Sequence, residues 1–360
     1  MKICLIGLNL TNLILANVFA KKKLYVDIYL NRKVKKFKTN RTIAISSQNF
    51  DYLKSFTKPI VMGWKTKQIK IFIEGSKSKE IINFQKKNKE VFNLIPYSKL
   101  NKIFFKNNTK SKYIKFKYQN TLNQIILKKI KNYDLVINSE NKNLLSDKFF
   151  SNKLKKHYQS RAYTFLINHK HKINNTAIQV FTKFGPLAFL PLSNTQTSIV
   201  FSYKGKDLSD ERIIELFKKY NSFYSLTKIS KIEKFSLSFE MLRNYIFGNI
   251  LAFGDLIHRI HPLAGQGFNM TIRDIKIISK IVDDKISLGL PIDISVAEDF
   301  QNSTRHLNYI YGKAIDGIYE FFKFDNKFNN SISRPVFKIL NKNFIFKKYS
   351  NILSDKGLNL

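Results

Sequence analysis

The sequence predicts an α/β fold (α+β in the wider sense), in which a parallel βαβ unit is combined with an antiparallel sheet and C-terminal helices. Three observations predict it. Residues 3–30 alternate strand, turn, helix and strand, and residues 246–282 contain a strand, an acid, a glycine loop and a helix. Residues 158–202 carry alternating apolar residues around a Gly185-Pro186 turn, which is typical of antiparallel strands. The 360 residues suffice for one or two domains with a large core.

The N-terminal residues predict the opening βαβ unit. A strand spans Ile3–Ile6, a tight turn follows at Gly7, a helix spans Thr11–Ala20 and a second strand spans Leu24–Leu30. The alternative is a signal peptide or membrane anchor, because residues 3–20 are uncharged and follow a lysine. Four polar residues within that stretch, and the lack of a small-residue cleavage site after it, favour the βαβ unit.

The phosphate-binding pattern GxGxxG is incomplete in this unit. It falls on Gly7, Asn9 and Asn12, so that only the first glycine is retained. The acid that normally ends the second strand, and that holds an adenosine ribose, falls on Leu30. The sequence therefore predicts a dinucleotide site with a weakened adenosine side.

The most informative stretch is Ile250–Asp274, with the sequence ILAFGDLIHRIHPLAGQGFNMTIRD. It continues an apolar run, Ile246–Phe253, that is typical of a buried strand and stops at Gly254-Asp255. An acid at a strand end can accept a hydrogen bond from a sugar-type hydroxyl. The glycines of the loop allow bare backbone to approach a flat or anionic group, and the following helix directs free N–H groups towards it.

This stretch closely resembles the second FAD fingerprint of the p-hydroxybenzoate-hydroxylase-like flavoprotein monooxygenases. It is most similar to the version GDAAHxxHPxAGQGxNxGxxD of the ubiquinone-biosynthesis hydroxylases. The residues that match are Gly254, Asp255, His258, His261, Pro262, Ala264, Gly265, Gln266, Gly267, Asn269 and Asp274. The resemblance implies a Rossmann-like FAD-binding domain with an interleaved antiparallel sheet that binds the substrate.

The resemblance also implies roles for individual residues. Asp255 would bind the ribityl and pyrophosphate region of FAD, and the loop Gly265–Gly267 would place amides along the pyrimidine edge of the flavin. Arg41 lies in NRTIAIS, which is similar to the family segment R-x-x-A-L-S, and is expected to contact the flavin or its phosphates. The predicted cofactor-binding residues are Gly7, Arg41, Gly254, Asp255, Pro262, Gly265, Gln266, Gly267, Phe268 and Asn269.

Two further segments resemble the family. Residues 133–143, YDLVINSENKN, take the place of D-L-V-I-G-A-D-G-x-x-S, with Asn138 and Asn141 for the glycines and Glu140 for the aspartate. FTKFGPLAFLPL, within residues 158–202, matches strands that wall an aromatic-substrate pocket in relatives. The candidates to line such a pocket are Phe181, Phe184, Leu187, Phe189 and Leu192.

These segments predict three regions. Residues 1–150 and 246–290 are expected to form a discontinuous FAD-binding domain, and residues 151–245, with part of 51–120, the substrate-binding sheet domain. Residues 291–360 are expected to be a C-terminal helical region.

By resemblance, the chain is an enzyme, a flavin-dependent aromatic-ring monooxygenase. It would hydroxylate a polyprenylated phenol intermediate in ubiquinone biosynthesis, using O₂ and NAD(P)H or another electron donor. No residue is marked as the catalytic acid or base. Two alternatives remain: a small soluble aromatic substrate, and a non-catalytic scaffold whose FAD site has decayed.

The charge and the cysteine content limit which partners and which location we expect. The net charge of +38 indicates either a general enrichment in lysine or an anionic partner, and the dispersal of the basic residues favours the former. We expect no nucleic-acid partner, and a cytoplasmic protein peripheral to the inner face of the membrane, with contacts to biosynthetic partners. Cys4 is the single cysteine, and His258 and His261 have no third ligand beside them, so we expect no metal.

Overall fold

The computed structural model describes residues 2–31, 39–57, 62–74, 80, 82–85, 90–119, 128–261 and 265–325. The strands are β1 Lys2–Ile6, β2 Tyr25–Asn31, β3 Thr42–Ser46, β4 Trp64–Thr66, β5 Gln68–Ile73, β6 Ile82–Gln85, β7 Phe92–Pro96, β8 Ile114–Gln119, β9 Leu135–Asn138, β10 Lys153–His169, β11 Thr176–Thr182, β12 Gly185–Pro191, β13 Gln196–Lys204, β14 Leu226–Ile229, β15 Glu233–Leu242, β16 Ile246–Phe247, β17 Ile250–Ala252 and β18 His258–Arg259. The helices are α1 Leu10–Lys21, α2 Ser47–Lys54, α3 Tyr97–Thr109, α4 Leu144–Phe149, α5 Asp210–Tyr220, α6 Gln266–Ser287 and α7 Ile294–Asp325.

The first sheet confirms the predicted βαβ unit. Its strand order is β16-β17-β9-β1-β2-β8, and every neighbouring pair from β17 to β8 is parallel. Helix α1 joins β1 to the parallel strand β2 and is buried along most of its length, as a crossover helix must be. The uncharged N-terminal stretch is therefore core, with Ile3, Leu5, Leu13 and Phe19 fully buried.

The apolar run Ile246–Phe253 was expected to be one strand, and this is wrong. The structure contains a hairpin in which Ile246 pairs with Leu251 and Phe247 with Ile250. Gly248 has φ of 56°, which permits the tight two-residue turn with Asn249. Only β17, the second half of the run, joins the parallel sheet.

The second sheet is mostly antiparallel and has the order β18-β15-β10-β13-β12-β11-β5-β6, with β14 beside β10. Helix α5 covers one face, where Ile213 and Phe217 pack against aromatic residues of β10, β12 and β13. The β5–β6 hairpin comes from the N-terminal third of the chain but joins this sheet parallel to β11. A small third sheet, β3-β7-β4, lies beside α2 and α6. The mixed fold is thus confirmed, whereas the three domain boundaries stay a prediction.

A buried polar cluster joins α6 and α7 to β18. The His258 ring donates to Asp274 through Nε2 at 2.7 Å, and Arg273 donates to the other Asp274 oxygen at 3.0 Å. Asn308 of α7 accepts a hydrogen bond from Arg273 and lies 3.4 Å from the Tyr245 hydroxyl. Burial alone would raise the pKa of Asp274, but the Arg273 charge and the His258 hydrogen bond outweigh it and lower the pKa.

Within the described ranges, which end at residue 325, no helix combines the length and apolarity needed to cross a bilayer.

We expect Asp274→Asn to lower the free energy of unfolding by about 3–5 kcal/mol at neutral pH, because it leaves the buried Arg273 without its counter-charge. Since the folded-state pKa of Asp274 is lowered, its stabilisation is present above the unfolded value of about 3.9 and is lost as pH falls through the folded-state pKa. Urea unfolding at pH 7 and at pH 3 measures both effects. The control is Asp299→Asn, which removes an exposed carboxylate paired with Lys285 and should change stability by less than ~1 kcal/mol.

Candidate functional site

Three neighbouring parallel strands end at one edge of the first sheet, and each is followed by a residue that the sequence singles out. Gly7 follows β1, Glu140 lies two residues after β9, and Asp255 lies three residues after β17. Because β17, β9 and β1 are adjacent and parallel, these residues share the carboxyl edge of the sheet. That edge is where ligands bind in open α/β sheets.

Gly7 and Glu140 are in close contact at this edge. Gly7 has φ of 103°, and a Cβ added there would lie 2.1 Å from Oε1 of Glu140. Asn9 donates through Nδ2 to Ser139 Oγ at 2.8 Å and to Glu140 Oε1 at 3.0 Å. The Glu140 carboxyl group therefore fills the space beside the incomplete glycine loop. Burial and the nearby Asp255 charge raise its pKa, against a smaller lowering by the Asn9 hydrogen bond.

Two asparagines take over the structural tasks of the missing glycines. Asn9 is the N-cap of α1 and accepts from the Asn12 N–H at 3.0 Å. Asn12 is fully buried and donates to the carbonyl oxygens of Ile6 and Gly7, at 2.8 and 2.9 Å. The turn between β1 and α1 is thus held by side chains where a GxGxxG loop relies on bare backbone.

Gly254 and Asp255 occupy a short 3₁₀ turn after β17. Gly254 has φ of 60° and packs against Thr11 of α1, where a Cβ would lie 3.0 Å from Thr11 Cγ2. This close approach sets the end of β17 against the first turn of α1. The Asp255 side chain is exposed at the edge of the sheet, as expected for an acid that accepts from a ligand hydroxyl.

The glycine loop before α6 is fixed to β3. Gly265 is left-handed (φ 66°) and packs on Ala44, whose Cβ lies 2.9 Å from the position of an added Cβ. Asn269 donates to the carbonyl oxygens of Ala44 and Gly265, and accepts from Ser46 N–H and from Asn49. The N-cap of α6 is Gly265, which has no side chain with which to cap the helix, and the N–H groups of a helix's first turn have no partner within the helix.

The remaining predicted loop residues have differing surroundings. Among the described residues, a Cβ added at Gly267 would meet Ile260 at 3.7 Å, which is an ordinary van der Waals distance. The Gln266 side chain accepts from the Tyr311 hydroxyl of α7 at 2.8 Å, and Phe268 packs in the main core, so these two offer only their backbone groups. Pro262 lies outside the described residues.

Arg41 is the residue directly before β3. Its side chain is exposed, and its guanidinium carbon lies 5.5 Å from the ring centre of Tyr97. The Tyr97 N–H donates to the Arg41 carbonyl at 2.9 Å, and the Tyr97 hydroxyl accepts from the Leu10 N–H at 3.4 Å. Tyr97 thus connects Arg41 to the N-terminus of α1.

The face of the large sheet that is turned away from α5 is partly open. Strand register places Thr164 beside Val200, Val200 beside Ala188, and Ser198 between Leu166 and Leu190. Its four apolar members, Leu166, Ala188, Leu190 and Val200, are half-buried. Thr164 and Ser198 are buried, and in the described chain their hydroxyl oxygens have no hydrogen-bond partner. We call these six residues the open sheet face.

The open sheet face lies beside the glycine loop. Leu190 packs against the cluster that contains Ala44 and Leu94, and Ala44 is the residue on which Gly265 packs. An apolar surface, with two unpaired hydroxyls buried beneath it, is therefore next to the start of α6. Such a surface suits an aromatic ring that carries hydroxyl groups.

Only some of the residues that the sequence suggests as the lining of a substrate pocket lie on this side of the large sheet. Leu187 and Phe189 are wrong as pocket residues, because both are fully buried in the core beneath α5. Phe184 packs against the same core. Phe181 lies on the opposite side of β11 from the core residue Val180, and Leu192 packs with Leu190 against the Ala44 cluster.

The two histidines of the fingerprint are separated by the fold. His258 belongs to the polar cluster with Asp274, whereas His261 stacks on Tyr319 at 4.2 Å between ring centres and meets Tyr158 edge-on. Burial lowers the pKa of His261 to about 3, so this ring is neutral at physiological pH. In the described part of the chain, no group of three or more His, Cys, Asp or Glu side chains is arranged to hold a metal ion.

Sequence reasoning missed several residues of this site. The sequence identifies Glu140 as a replacement but does not show that its carboxyl group reaches Gly7. Tyr97, Thr164 and Ser198 carry no motif, and only the packing of distant segments brings them to the site. The alternation along β10 and β13 was the available signal for Thr164 and Ser198, since it places both on one face.

Comparison with known proteins identifies the same region. The family of the FAD binding domain matches residues 135–282. The mitochondrial ubiquinone biosynthesis monooxygenase COQ6 of Dictyostelium discoideum is 26% identical over 196 residues, which are 44% of this chain and 39% of that protein. The 3-demethoxyubiquinol 3-hydroxylase of Escherichia coli is 28% identical over 152 residues, 40% of this chain and 39% of that protein. The matches thus span about two fifths of the length of these relatives.

Solved structures share the fold over almost the whole chain. The p-nitrophenol 4-monooxygenase PnpA of Pseudomonas putida superposes with a TM-score of 0.79 at 9% identity, covering 99% of this chain and 98% of that one. Klebsiella pneumoniae HpxO, complexed with FAD and uric acid, gives a TM-score of 0.75 at 9% identity, covering 98% and 97%. Matches at this identity show the fold, and the chain is thus similar in fold to these monooxygenases. In sequence, over the region that contains Asp255 and Gly265, it is similar to the FAD binding domain and to the ubiquinone biosynthesis hydroxylases.

Proposed function

We propose that the protein binds FAD and hydroxylates the aromatic ring of a polyprenylated phenol intermediate in ubiquinone biosynthesis. The observation that carries the proposal is the position of the glycine loop. Gly265 packs on Ala44, and Ala44 belongs to the cluster against which Leu190 of the open sheet face packs. A flavin ring along this loop would lie between the carboxyl edge of the parallel sheet and an apolar surface suited to a phenol.

The residues of the flavin half fit the cofactor. Gly267 adds no side chain at the start of α6, the first turn of that helix would present N–H groups, and Asn269 bonds the loop to β3. Asp255 would accept from the ribityl hydroxyls, and Arg41 would approach the flavin or its phosphates. When bound, the flavin supplies electron transfer and activation of O₂, after reduction by NAD(P)H or another donor. The N–H groups of α6 would stabilise negative charge on the reduced ring.

The substrate would bind to the open sheet face. Its apolar residues would exclude water from the ring, and the unpaired hydroxyls of Thr164 and Ser198 would hydrogen-bond phenolic or methoxy oxygens. A buried hydroxyl without a partner costs free energy, so a ligand that satisfies it binds more tightly. The names of the relatives favour a ubiquinone precursor over a small soluble aromatic acid.

A second candidate is a scaffold without catalysis. The observation that favours it is Glu140, whose carboxyl group fills space beside the glycine loop of α1. Absence of saturable FAD binding would support this scaffold function and contradict the proposed hydroxylase.

We also propose contact with the anionic inner face of a membrane. On the outward side of α7, Tyr309, Ile310 and Ile318 are exposed beside Lys313. Exposed apolar side chains and cations along one side of a helix are typical of interfacial helices. A protein of net charge +38 is attracted to anionic lipid over longer distances, which would bring the enzyme to a prenylated substrate.

For the cofactor, we expect the purified protein to show a bound-flavin absorption spectrum after FAD is added. Asp255→Ala should weaken FAD binding by roughly tenfold or more, because it removes a hydrogen bond to a charged group. Titration of flavin fluorescence measures both affinities. The matched control is Asp134→Ala, which removes an exposed carboxylate at the amino edge of the same sheet and should leave the affinity unchanged.

For the substrate, we expect Val200→Trp to block binding of a prenylated phenol while FAD binding is retained, because a bulky ring on the open sheet face fills the proposed pocket. The readouts are the change of the flavin spectrum on adding the phenol, and product mass increased by one oxygen atom. Lys204→Trp, at the exposed end of the same strand, is the control. Unchanged turnover in the Val200 variant would place the substrate elsewhere.

For the membrane, we expect a protein with both Ile310→Asp and Ile318→Asp to bind weakly to vesicles of phosphatidylcholine with phosphatidylglycerol. The introduced charges oppose burial of this side of α7 in the interface. Co-sedimentation measures binding, and pure phosphatidylcholine vesicles serve as the lipid control. Ile286→Asp, on an exposed part of α6, is the control variant. Equal sedimentation of all variants would contradict contact through α7.

A further inference from the structure

The carboxyl group of Glu140 lies where a dinucleotide would need to approach the protein. The turn after β1 is the phosphate-binding turn of a βαβ unit, and its second glycine position is where backbone meets the pyrophosphate. That position is Asn9, and the Asn9 side chain holds Glu140 Oε1 at 3.0 Å. A carboxylate is thus fixed directly beside the expected pyrophosphate position.

Several hydrogen bonds fix the position of Glu140. Asn9 also donates to Ser139 Oγ at 2.8 Å, and Ser146 donates to the Glu140 carbonyl oxygen. The Glu140 N–H in turn donates to Asn138 Oδ1 at 3.2 Å. The backbone of Glu140 is therefore bonded to β9 and α4, and its side chain to the N-cap of α1, so the carboxyl group cannot swing away without breaking the contact with Asn9.

The electrostatics at this edge oppose an ionised Glu140. Burial raises the pKa of Glu140 most, the hydrogen bond from Asn9 lowers it by less, and the charge of Asp255, after β17, adds a smaller rise, so that the pKa of Glu140 is raised. From α1, the facing group is the uncharged Asn9. A pyrophosphate would add negative charge at close range and would favour the neutral carboxyl form further.

We propose that Glu140 occupies part of the pyrophosphate position and that FAD binds with uptake of a proton by its carboxyl group. In this role Glu140 determines which flavins bind well: it opposes FAD, which carries the pyrophosphate, and leaves riboflavin unaffected. The inference rests on the proposed function, because it takes FAD as the ligand of the site. It gives the two neighbouring carboxylates opposite effects, with Asp255 favouring FAD and Glu140 opposing it.

The test compares the affinities of the full-length protein and its Glu140→Gln variant for FAD and for riboflavin, between about pH 6 and about pH 8.5. Glutamine keeps the shape and can still accept from Asn9, but cannot be ionised. For the wild type, we expect the Kd of FAD to rise with pH, by up to about tenfold per unit once Glu140 is ionised. The variant should bind FAD about tenfold or more tightly at the alkaline end, with little dependence on pH.

Riboflavin and a control variant test whether an effect on FAD binding comes from Glu140 acting on the pyrophosphate. Riboflavin has no phosphate, so its Kd should be alike in both proteins and across this pH range. Glu215→Gln removes a carboxylate from an exposed ion pair on α5 and should leave the wild-type behaviour towards FAD unchanged. Calorimetry of FAD binding in two buffers of different ionisation enthalpy measures proton uptake directly on the wild type, so the test does not depend on the folding of the variant.

The outcomes distinguish this inference from the proposed function. Equal FAD affinities in wild type and Glu140→Gln, without proton uptake, would overturn the role of Glu140 and leave the hydroxylase proposal intact. Failure of both proteins to bind either flavin would overturn the proposed function and the inference with it. Tight FAD binding by the variant alone at the alkaline end would support both.

Discussion

The side chain of Asn269 holds the candidate flavin site together. Its amide donates to the carbonyl oxygens of Ala44 and Gly265 and accepts from the N–H of Ser46 and from Asn49, so it joins α6, β3 and α2 through one buried group. The first turn of α6 thereby has a fixed position relative to the strand that follows Arg41. Ala44 of β3 also belongs to the cluster against which Leu190 of the open sheet face packs, so this amide bonds to a strand that borders both walls of the proposed pocket.

The charge distribution at the site differs from that of the whole molecule. The chain carries a net charge of +38, which attracts an anionic cofactor from a distance. At the carboxyl edge of the parallel sheet, however, two acidic residues, Glu140 and Asp255, interact with each other. Salt screens the long-range attraction more than it screens a contact of a few ångströms. Ionic strength should therefore act mainly on the rate of encounter with FAD, and the two carboxylates on the stability of the complex.

The sequence predicted the fold, and the position of Asp255 directly after a strand region, because both depend on local patterns. Apolar periodicity located β1, α1 and β2 to within a residue or two, and the acid at Asp255 follows from the end of a strand. Sequence reasoning failed where one local pattern is compatible with two structures. Alternation along β12 defines two faces but does not tell which one meets α5, so Leu187 and Phe189 were placed on the wrong side. The reach of Glu140 to Gly7 joins segments more than 130 residues apart, and no local rule encodes it.

The interleaving of the two sheets has a consequence for how the chain folds during synthesis. Strand β5 pairs with β11 about a hundred residues later, β9 pairs with β17, and β15 pairs with β18, which ends at Arg259. Neither sheet is complete until that part of the chain has left the ribosome. Contacts of such long sequence separation slow folding and leave strand edges exposed meanwhile. The early half of this chain should therefore depend on chaperones until residue 259 emerges, and proteolysis of a nascent chain should show late, concerted protection of both sheets.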